Sequence, residues 1–218
     1  MNIQLGIYDI FSRIFPGAFY MFAFIEFARV LNLIKLDWMT LKDIGPVPLL
    51  GLALIAYIVG VGMDRAGSAW HRLFKKDRAS QEIIREFKEE HKSQWNLAFE
   101  DVDWPILRAY LYIHNPDVAN EIDRHNALCL MLQNLSLGLV LIAVSEGIQF
   151  ATTMDWAFLI LVSVLIFLSY QMANQAGTWK EWFYRSIFEA IIAYRVNLEE
   201  NIKPVKLPAT RKKGKAKR

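Results

Sequence analysis

Four long apolar stretches dominate this chain of 218 residues, at positions 14–34, 47–63, 127–148 and 156–172. The hydrocarbon core of a bilayer is about 30 Å thick, and a helix needs about 17–25 mostly apolar residues to cross it. Four such stretches favour a membrane protein over a soluble helical bundle, and a hydrophobic content of 54% agrees. The sequence therefore predicts an all-α, polytopic membrane protein with four transmembrane helices. The single cysteine excludes an intrachain disulfide.

Lysine and arginine are distributed unevenly among the segments that connect these stretches. Segment 65–126 has ten of them and the segment after residue 172 has eleven, whereas segment 35–45 has two and segment 146–155 has none. Connections rich in lysine and arginine stay in the cytoplasm. The long segment, the C-terminal segment and both termini are therefore predicted to be cytoplasmic.

This pattern divides the chain into five predicted regions. Residues 1–63 hold an N-terminal interfacial segment and the first two spans, and residues 64–126 form a cytosolic helical region. Residues 127–172 hold the last two spans, residues 173–200 form a cytosolic amphipathic helix, and residues 201–218 form a disordered basic tail. The amphipathic helix is compatible with two positions, in the membrane interface or against the cytosolic helices.

Start signals predict three helices in and beyond the long cytosolic segment. A charged helix is expected over 78–99 and a short one over 105–114. Asn115 followed by a proline and an acid is typical of a helix N-terminus. No breaker follows before Gly138, so one continuous helix is predicted over 116–149. At about 1.5 Å per residue it is about 50 Å long and projects from the membrane.

Two charged residues, Glu26 and Arg29, fall inside the first apolar stretch. They are three apart on a helix, so their side chains can meet. Charges at membrane depth normally face a protein interior or a water-filled cavity. Two interpretations stay open: a charged constriction or interhelical contact, or a span displaced to about 5–25 that must then accommodate Arg13.

Polar and small residues suggest where the other spans meet. The third span carries polar side chains at Gln133, Asn134 and Ser145. Residues suited to close helix packing are Ala56, Gly60, Gly62 and Gly138. Small residues let helices approach closely and polar side chains bond across them. The pattern predicts packing within one chain or between copies, with pore lining as the alternative.

Charged surfaces of the cytosolic part suggest binding roles. The candidate residues for docking a protein partner are Arg85, Lys88, Trp95, Asp117 and Glu121. Four basic residues of the tail are predicted to bind anionic lipid: Arg211, Lys212, Lys213 and Lys215. The tail has no interleaved aromatic residues on which bases would stack, so no nucleic-acid partner is expected.

Catalytic and metal-binding patterns are absent from the sequence. It has no nucleophile–base motif, phosphate-binding glycine loop or zinc spacing, and we expect neither an enzyme, nor a metal site, nor a cofactor. Three arginine–histidine pairs six residues apart are similar in spacing to RNases of the HEPN type, and they are Arg65/His71, Arg85/His91 and Arg108/His114. This RNase hypothesis is the weakest of the alternatives, because a segment dense in arginine produces such pairs by chance.

Two short stretches carry a resemblance to known proteins. Residues 8–17 (YDIFSRIFPG) resemble the opening of bacterial multi-span membrane proteins, and residues 123–134 are similar to the entry to a span in the same proteins. The layout also resembles small membrane effectors of phage-defence systems, which oligomerise and compromise the membrane when triggered. The resemblance implies a homo-oligomeric inner-membrane protein that forms or gates a permeation path. The alternative is a membrane anchor that recruits a cytosolic partner.

Overall fold

The structure, a computed structural model, describes residues 7–34, 45–74, 80–91 and 104–193, and every regular element in these ranges is an α-helix. The six helices are α1 (Ile7–Val30), α2 (Pro46–Phe74), α3 (Ser80–Glu90), α4 (Trp104–His114), α5 (Pro116–Thr153) and α6 (Trp156–Ala193). Four of them, α1, α2, α5 and α6, are long and apolar enough to cross a membrane. The predicted all-α, four-span class is therefore confirmed.

Helix α5 is the centre of the molecule, and it packs against α1, α2, α4 and α6. Its N-terminus is capped as predicted, since the Asn115 side chain accepts a hydrogen bond of 3.3 Å from the backbone N–H of Val118. Met154 ends the helix in the left-handed conformation, with φ of 56°. The 38 residues between run without a break and span about 57 Å. The predicted continuous helix is present and extends a few residues further.

Helix α6 differs from the prediction, because the fourth span and the amphipathic segment are one helix. It runs unbroken from Trp156 to Ala193, through the predicted boundary at residue 172. The side chains become more polar near residue 172, but the backbone hydrogen bonding of the helix continues there. No proline lies in this stretch, and a single glycine at position 177 is tolerated within a helix.

The first span also lies differently from the predicted 14–34. Helix α1 begins at Ile7, continues through Pro16, and ends at Val30, after which Asn32 adopts the left-handed conformation. Residues 7–13 therefore belong to the helix and do not form a separate interfacial segment. The apolar part of α1 is residues 10–30, which is closer to the N-terminus than predicted.

Helices α1 and α2 are antiparallel and touch backbone to backbone. A Cβ atom added at Gly17 would overlap the carbonyl group of Ala56, and one added at Gly60 would overlap the carbonyl group of Arg13. Glycine at both positions is what allows this approach. Helix α1 runs parallel to α5, with Tyr20 near Asn134 and Arg29 near Gln149.

Beyond the spans, α3, α4, the start of α5 and the end of α6 form a helical head with its own apolar core. The buried core residues are Ile84, Phe87, Leu107, Leu111, Ala119, Ile122, Phe183, Ile187, Phe188, Ala190 and Ile191. Residues at the end of α6 are thus packed on the other helices of the head, which is one of the two positions that the sequence left open. The described helix α3 is shorter than the predicted 78–99, and residues 92–99 lie outside the described part of the chain.

Candidate functional site

Polar and charged side chains converge between α1, α2 and α5 on the side nearest the head. We call Arg13, Tyr20, Asp64 and Asn134 the head-side cluster. The Asn134 amide nitrogen donates to Asp64 Oδ1 at 2.7 Å, and its oxygen accepts from the Tyr20 hydroxyl at 3.4 Å. Arg13 Nε lies 3.6 Å from Asp64 Oδ2. One buried amide therefore joins an ion pair to a tyrosine across three helices.

Further hydrogen bonds extend from this cluster along α5. The Ser68 hydroxyl donates to Gln133 Oε1 at 3.2 Å. Ser136 accepts from the Trp70 indole at 3.1 Å and shares a reciprocal pair of bonds with Ser169 of α6, with hydroxyl-to-carbonyl distances of 2.9 and 2.8 Å. Side chains bonded in this way join α2 and α6 to α5.

A second group of polar residues lies toward the other end of the spans, where α1 meets α5. We call Glu26, Arg29, Glu146 and Gln149 the far-side cluster. Arg29 binds Glu26 Oε2 at 2.7 Å and reaches Gln149 Oε1 at 3.4 Å. Glu26 is 4% exposed and Glu146 is 8% exposed. The buried carboxyl groups of Glu26 and Glu146 therefore both lie near Arg29.

The two clusters are close together compared with the thickness of a bilayer. Asn134 and Glu146 are twelve residues apart on α5, which corresponds to about 18 Å along the helix axis. A hydrocarbon core is about 30 Å thick. Two clusters about 18 Å apart therefore cannot lie at opposite surfaces of such a core. They sit on one seam between α1 and α5, with buried Leu139, Ile142 and Ala143 between them on α5.

The predicted polar residues mostly face neighbouring helices. Glu26, Arg29 and Asn134 belong to the two clusters, and Gln133 bonds to Ser68. Ser145 is fully buried, and its hydroxyl donates to the backbone carbonyl of Ile142 in its own helix at 2.8 Å. These side chains are engaged within one chain.

The predicted packing residues divide into two groups. Ala56 and Gly60 lie at the contact with α1, and Gly138 is buried against Phe19 and Tyr20. Gly62 lies on the outer face of α2, and a Cβ added there would meet nothing within 4 Å. Gly62 therefore does not take part in packing within this chain.

The sequence did not indicate three residues of the two polar clusters. Arg13 was expected only to need accommodation, whereas it faces Asp64 from the next helix. Asp64 follows directly on the second apolar stretch, and its position at the end of that stretch is the only signal for it. Glu146 was assigned to an external connection, but it is buried inside α5.

The predicted docking residues are spread over two surfaces. Arg85 is exposed and Lys88 half-buried on α3, which packs on α6. Asp117 and Glu121 are exposed on α5, where Glu121 pairs with Arg124 at 3.4 Å. Trp95 and the four basic tail residues lie outside the described residues.

The arginine–histidine pairs show other contacts. Arg108 pairs with Asp123 at 2.6 Å, and His114 lies against the ring of Tyr110 at 4.1 Å. His71 is buried, whereas Arg65 of the same pair is exposed. Within residues 7–34, 45–74, 80–91 and 104–193, no group of three His, Cys, Asp or Glu side chains could hold a metal ion.

Fold and site together define a helical membrane protein with four apolar spans, a helical head and a charged seam between α1 and α5. No protein family matches the chain, and no curated protein or solved structure matches it. The function is therefore argued from the geometry of the seam.

Proposed function

We propose that this chain is a homo-oligomeric inner-membrane protein whose spans gate a permeation path, with the seam between α1 and α5 held closed by the two polar clusters. The observation that carries the proposal is the burial of Glu26 and Glu146 between α1 and α5, about 18 Å along α5 from the head-side cluster, which is membrane depth if that cluster lies at the headgroup level. Ionisable groups are costly there and commonly mark ion or substrate pathways. The proposal needs no catalytic group.

The need to hold the helices together does not by itself explain why these side chains are charged. Replacing a buried ion pair by apolar residues of similar volume is often neutral or stabilising. A bundle that only had to stay folded could join α1, α2 and α5 with small and apolar residues, as it does at Gly17 and Gly60. The Arg13–Asp64 pair between α1 and α2 and the Arg29–Gln149 contact between α1 and α5 can break and re-form when the helices separate.

The far-side cluster also indicates which solutes would pass. Separation of α1 from α5 would expose Glu26 and Glu146 together with Arg29. With two carboxylates against one guanidinium, the opened seam has a net negative charge. A ring of such carboxylates in an oligomer would favour cations.

Leakage from liposomes tests the proposal. Arg29→Gln removes the Arg29–Gln149 contact between α1 and α5 and leaves two buried carboxyl groups without their arginine, so it should give cation leakage without any trigger, whereas wild-type protein should remain closed. Ser163→Ala is the matched control, because Ser163 is exposed on α6 and bonds only to the carbonyl of Leu159 in its own helix among the described residues. If folded, inserted Arg29→Gln protein leaks no more than Ser163→Ala protein, the gating proposal fails.

The same proposal places the head and both termini in the cytoplasm. The excess of lysine and arginine in the head and the C-terminal segment supports this orientation. A cytoplasm-dependent reporter fused after the last residue should be active in cells. Activity of a periplasm-dependent reporter at the same position would contradict the orientation.

A second candidate function is a membrane anchor that recruits a soluble partner through the head. It is favoured by the outer face of α4, where Ile106 is 52% exposed and Ile113 is 78% exposed. These residues are seven apart and so lie on the same face of the helix. A partner that co-purifies with wild-type protein but is lost from an Ile106→Ser/Ile113→Ser variant, without leakage from any variant, would favour this function over gating.

A further inference from the structure

A pocket of about 310 Å³ lies where α2, α4, α5 and α6 meet. Its lining contains three cationic side chains, Arg72, Arg108 and Lys180, and no aspartate or glutamate. Trp104 and Tyr184 contribute aromatic surface. A concave site with apolar walls and a few convergent polar groups is typical of small-molecule binding, and its volume lies at the lower end of the range for such sites.

The pocket lies at the junction between the spans and the head. Two of its polar lining residues are Ser68 and Gln133, which bond to each other at 3.2 Å. Its α5 residues, 126–133, lie at the head-side end of the apolar segment. This is the level at which lipid headgroups meet a membrane protein, and basic pockets between helices at this level suit phosphate groups.

We propose that this pocket binds a phosphate-bearing anion, with the headgroup of an anionic phospholipid as its source. Its lining residues differ from the four tail residues predicted to bind lipid, and the pocket does not depend on the gating proposal. The net positive lining attracts the phosphate, and the aromatic side chains contact the glycerol and acyl portions next to it.

The two arginines keep donors for such a ligand. Arg108 uses Nε and one terminal nitrogen toward Asp123, at 2.8 and 2.6 Å. Arg72 uses Nε toward the backbone carbonyl of Ser68 at 3.4 Å. A guanidinium has five N–H donors, so each of these contacts leaves others. Arg108 is already fixed by an ion pair between α4 and α5, whereas Arg72 is exposed and suited to substitution.

Titration of the full-length protein with short-chain lipids tests the site. The protein is held in a neutral detergent, and its thermal unfolding is followed while dihexanoyl phosphatidylglycerol, dihexanoyl phosphatidylcholine or inorganic phosphate is added. A ligand that binds only the folded state raises the unfolding temperature with its concentration, which gives an apparent Kd. We expect saturable stabilisation by phosphatidylglycerol and an apparent Kd at least about tenfold weaker for phosphatidylcholine.

Substitutions in the pocket assign the binding to it. Arg72→Gln and Lys180→Gln should each weaken phosphatidylglycerol binding by about tenfold or more, because each removes charge-assisted hydrogen bonds. Arg72→Lys should retain part of the affinity. Arg85→Gln is the matched control, since Arg85 is an exposed cation of α3 that does not line the pocket.

The outcomes separate the sources of phosphate. Equal, saturable stabilisation by inorganic phosphate that Arg72→Gln abolishes would retain the anion site and overturn its assignment to lipid. Equal responses to the two lipids, or equal losses in the pocket variants and Arg85→Gln, would overturn the site itself.

Discussion

Replacing Gly60 by alanine should force α1 and α2 apart. The added Cβ would overlap the carbonyl group of Arg13, and both contacting atoms belong to helix backbones that cannot rotate away. Carbon and oxygen atoms normally remain about 3.3 Å or more apart, so the helices must separate by on the order of 1 Å. A gap of that size loses a quarter to a half of the dispersion energy at the contact.

The magnitude follows from two opposing effects. Overpacking of this kind costs about 1–3 kcal/mol, and alanine in place of glycine within a helix gains up to about 1 kcal/mol. Gly62→Ala is a matched control two residues away, because a Cβ there would meet nothing within 4 Å and only the gain applies. Because the gain is common to both variants, it cancels in the comparison, and Gly60→Ala should be less stable than Gly62→Ala by about 1–3 kcal/mol.

Unfolding by a denaturing detergent, followed by tryptophan fluorescence in bicelles, measures this difference. Circular dichroism before the titration shows whether each variant is folded and helical. Equal stability of the two variants would mean that α1 and α2 do not touch through their backbones. It would also contradict the placement of Arg13 beside Asp64.

Three other substitutions probe contacts elsewhere in the chain. Asn134→Leu should lower the free energy of unfolding by about 1–2 kcal/mol. A double-mutant cycle with Asp64→Ala, which removes the acceptor, should show a coupling of about 0.6–1.7 kcal/mol, and additive effects would contradict the hydrogen bond. Phe87→Ala should destabilise the head by about 3–5 kcal/mol, whereas exposed Ile113→Ala should have little effect, and proteolysis of the head compares them. Asn115→Ala should cost about 1 kcal/mol through loss of the cap of α5, seen as faster hydrogen exchange in its first turn.

Local signals predicted several elements of the fold correctly. The asparagine, proline and acid at positions 115–117 fixed the start of α5, and the lack of a breaker predicted its continuity. After residue 172 the change in polarity predicts a helix boundary, although no breaker is present there and α6 continues. Because the α6 backbone needs no apolar surroundings to remain helical, hydropathy alone could not locate its end.

The charged seam could be predicted only in part. Glu26 and Arg29 are neighbours on one helix, so their spacing revealed the ion pair. Asn134 and Asp64 are 70 positions apart, and their contact depends on how α2 and α5 pack. Helical spacing gives the face of a residue on its own helix, but it carries no information on which other helix that face meets.

Because α5 and α6 are long and unbroken, a small rotation of the head moves the far ends of these helices by a much larger distance. Each helix has 38 residues and is about 57 Å long, with one part in the head and the other in the spans. If such a rod pivots by 5° about its head end, its opposite tip swings sideways by about 5 Å. A small rotation of the head would therefore displace the opposite ends of the spans by about the pitch of one helical turn, and no hinge within the helices is needed.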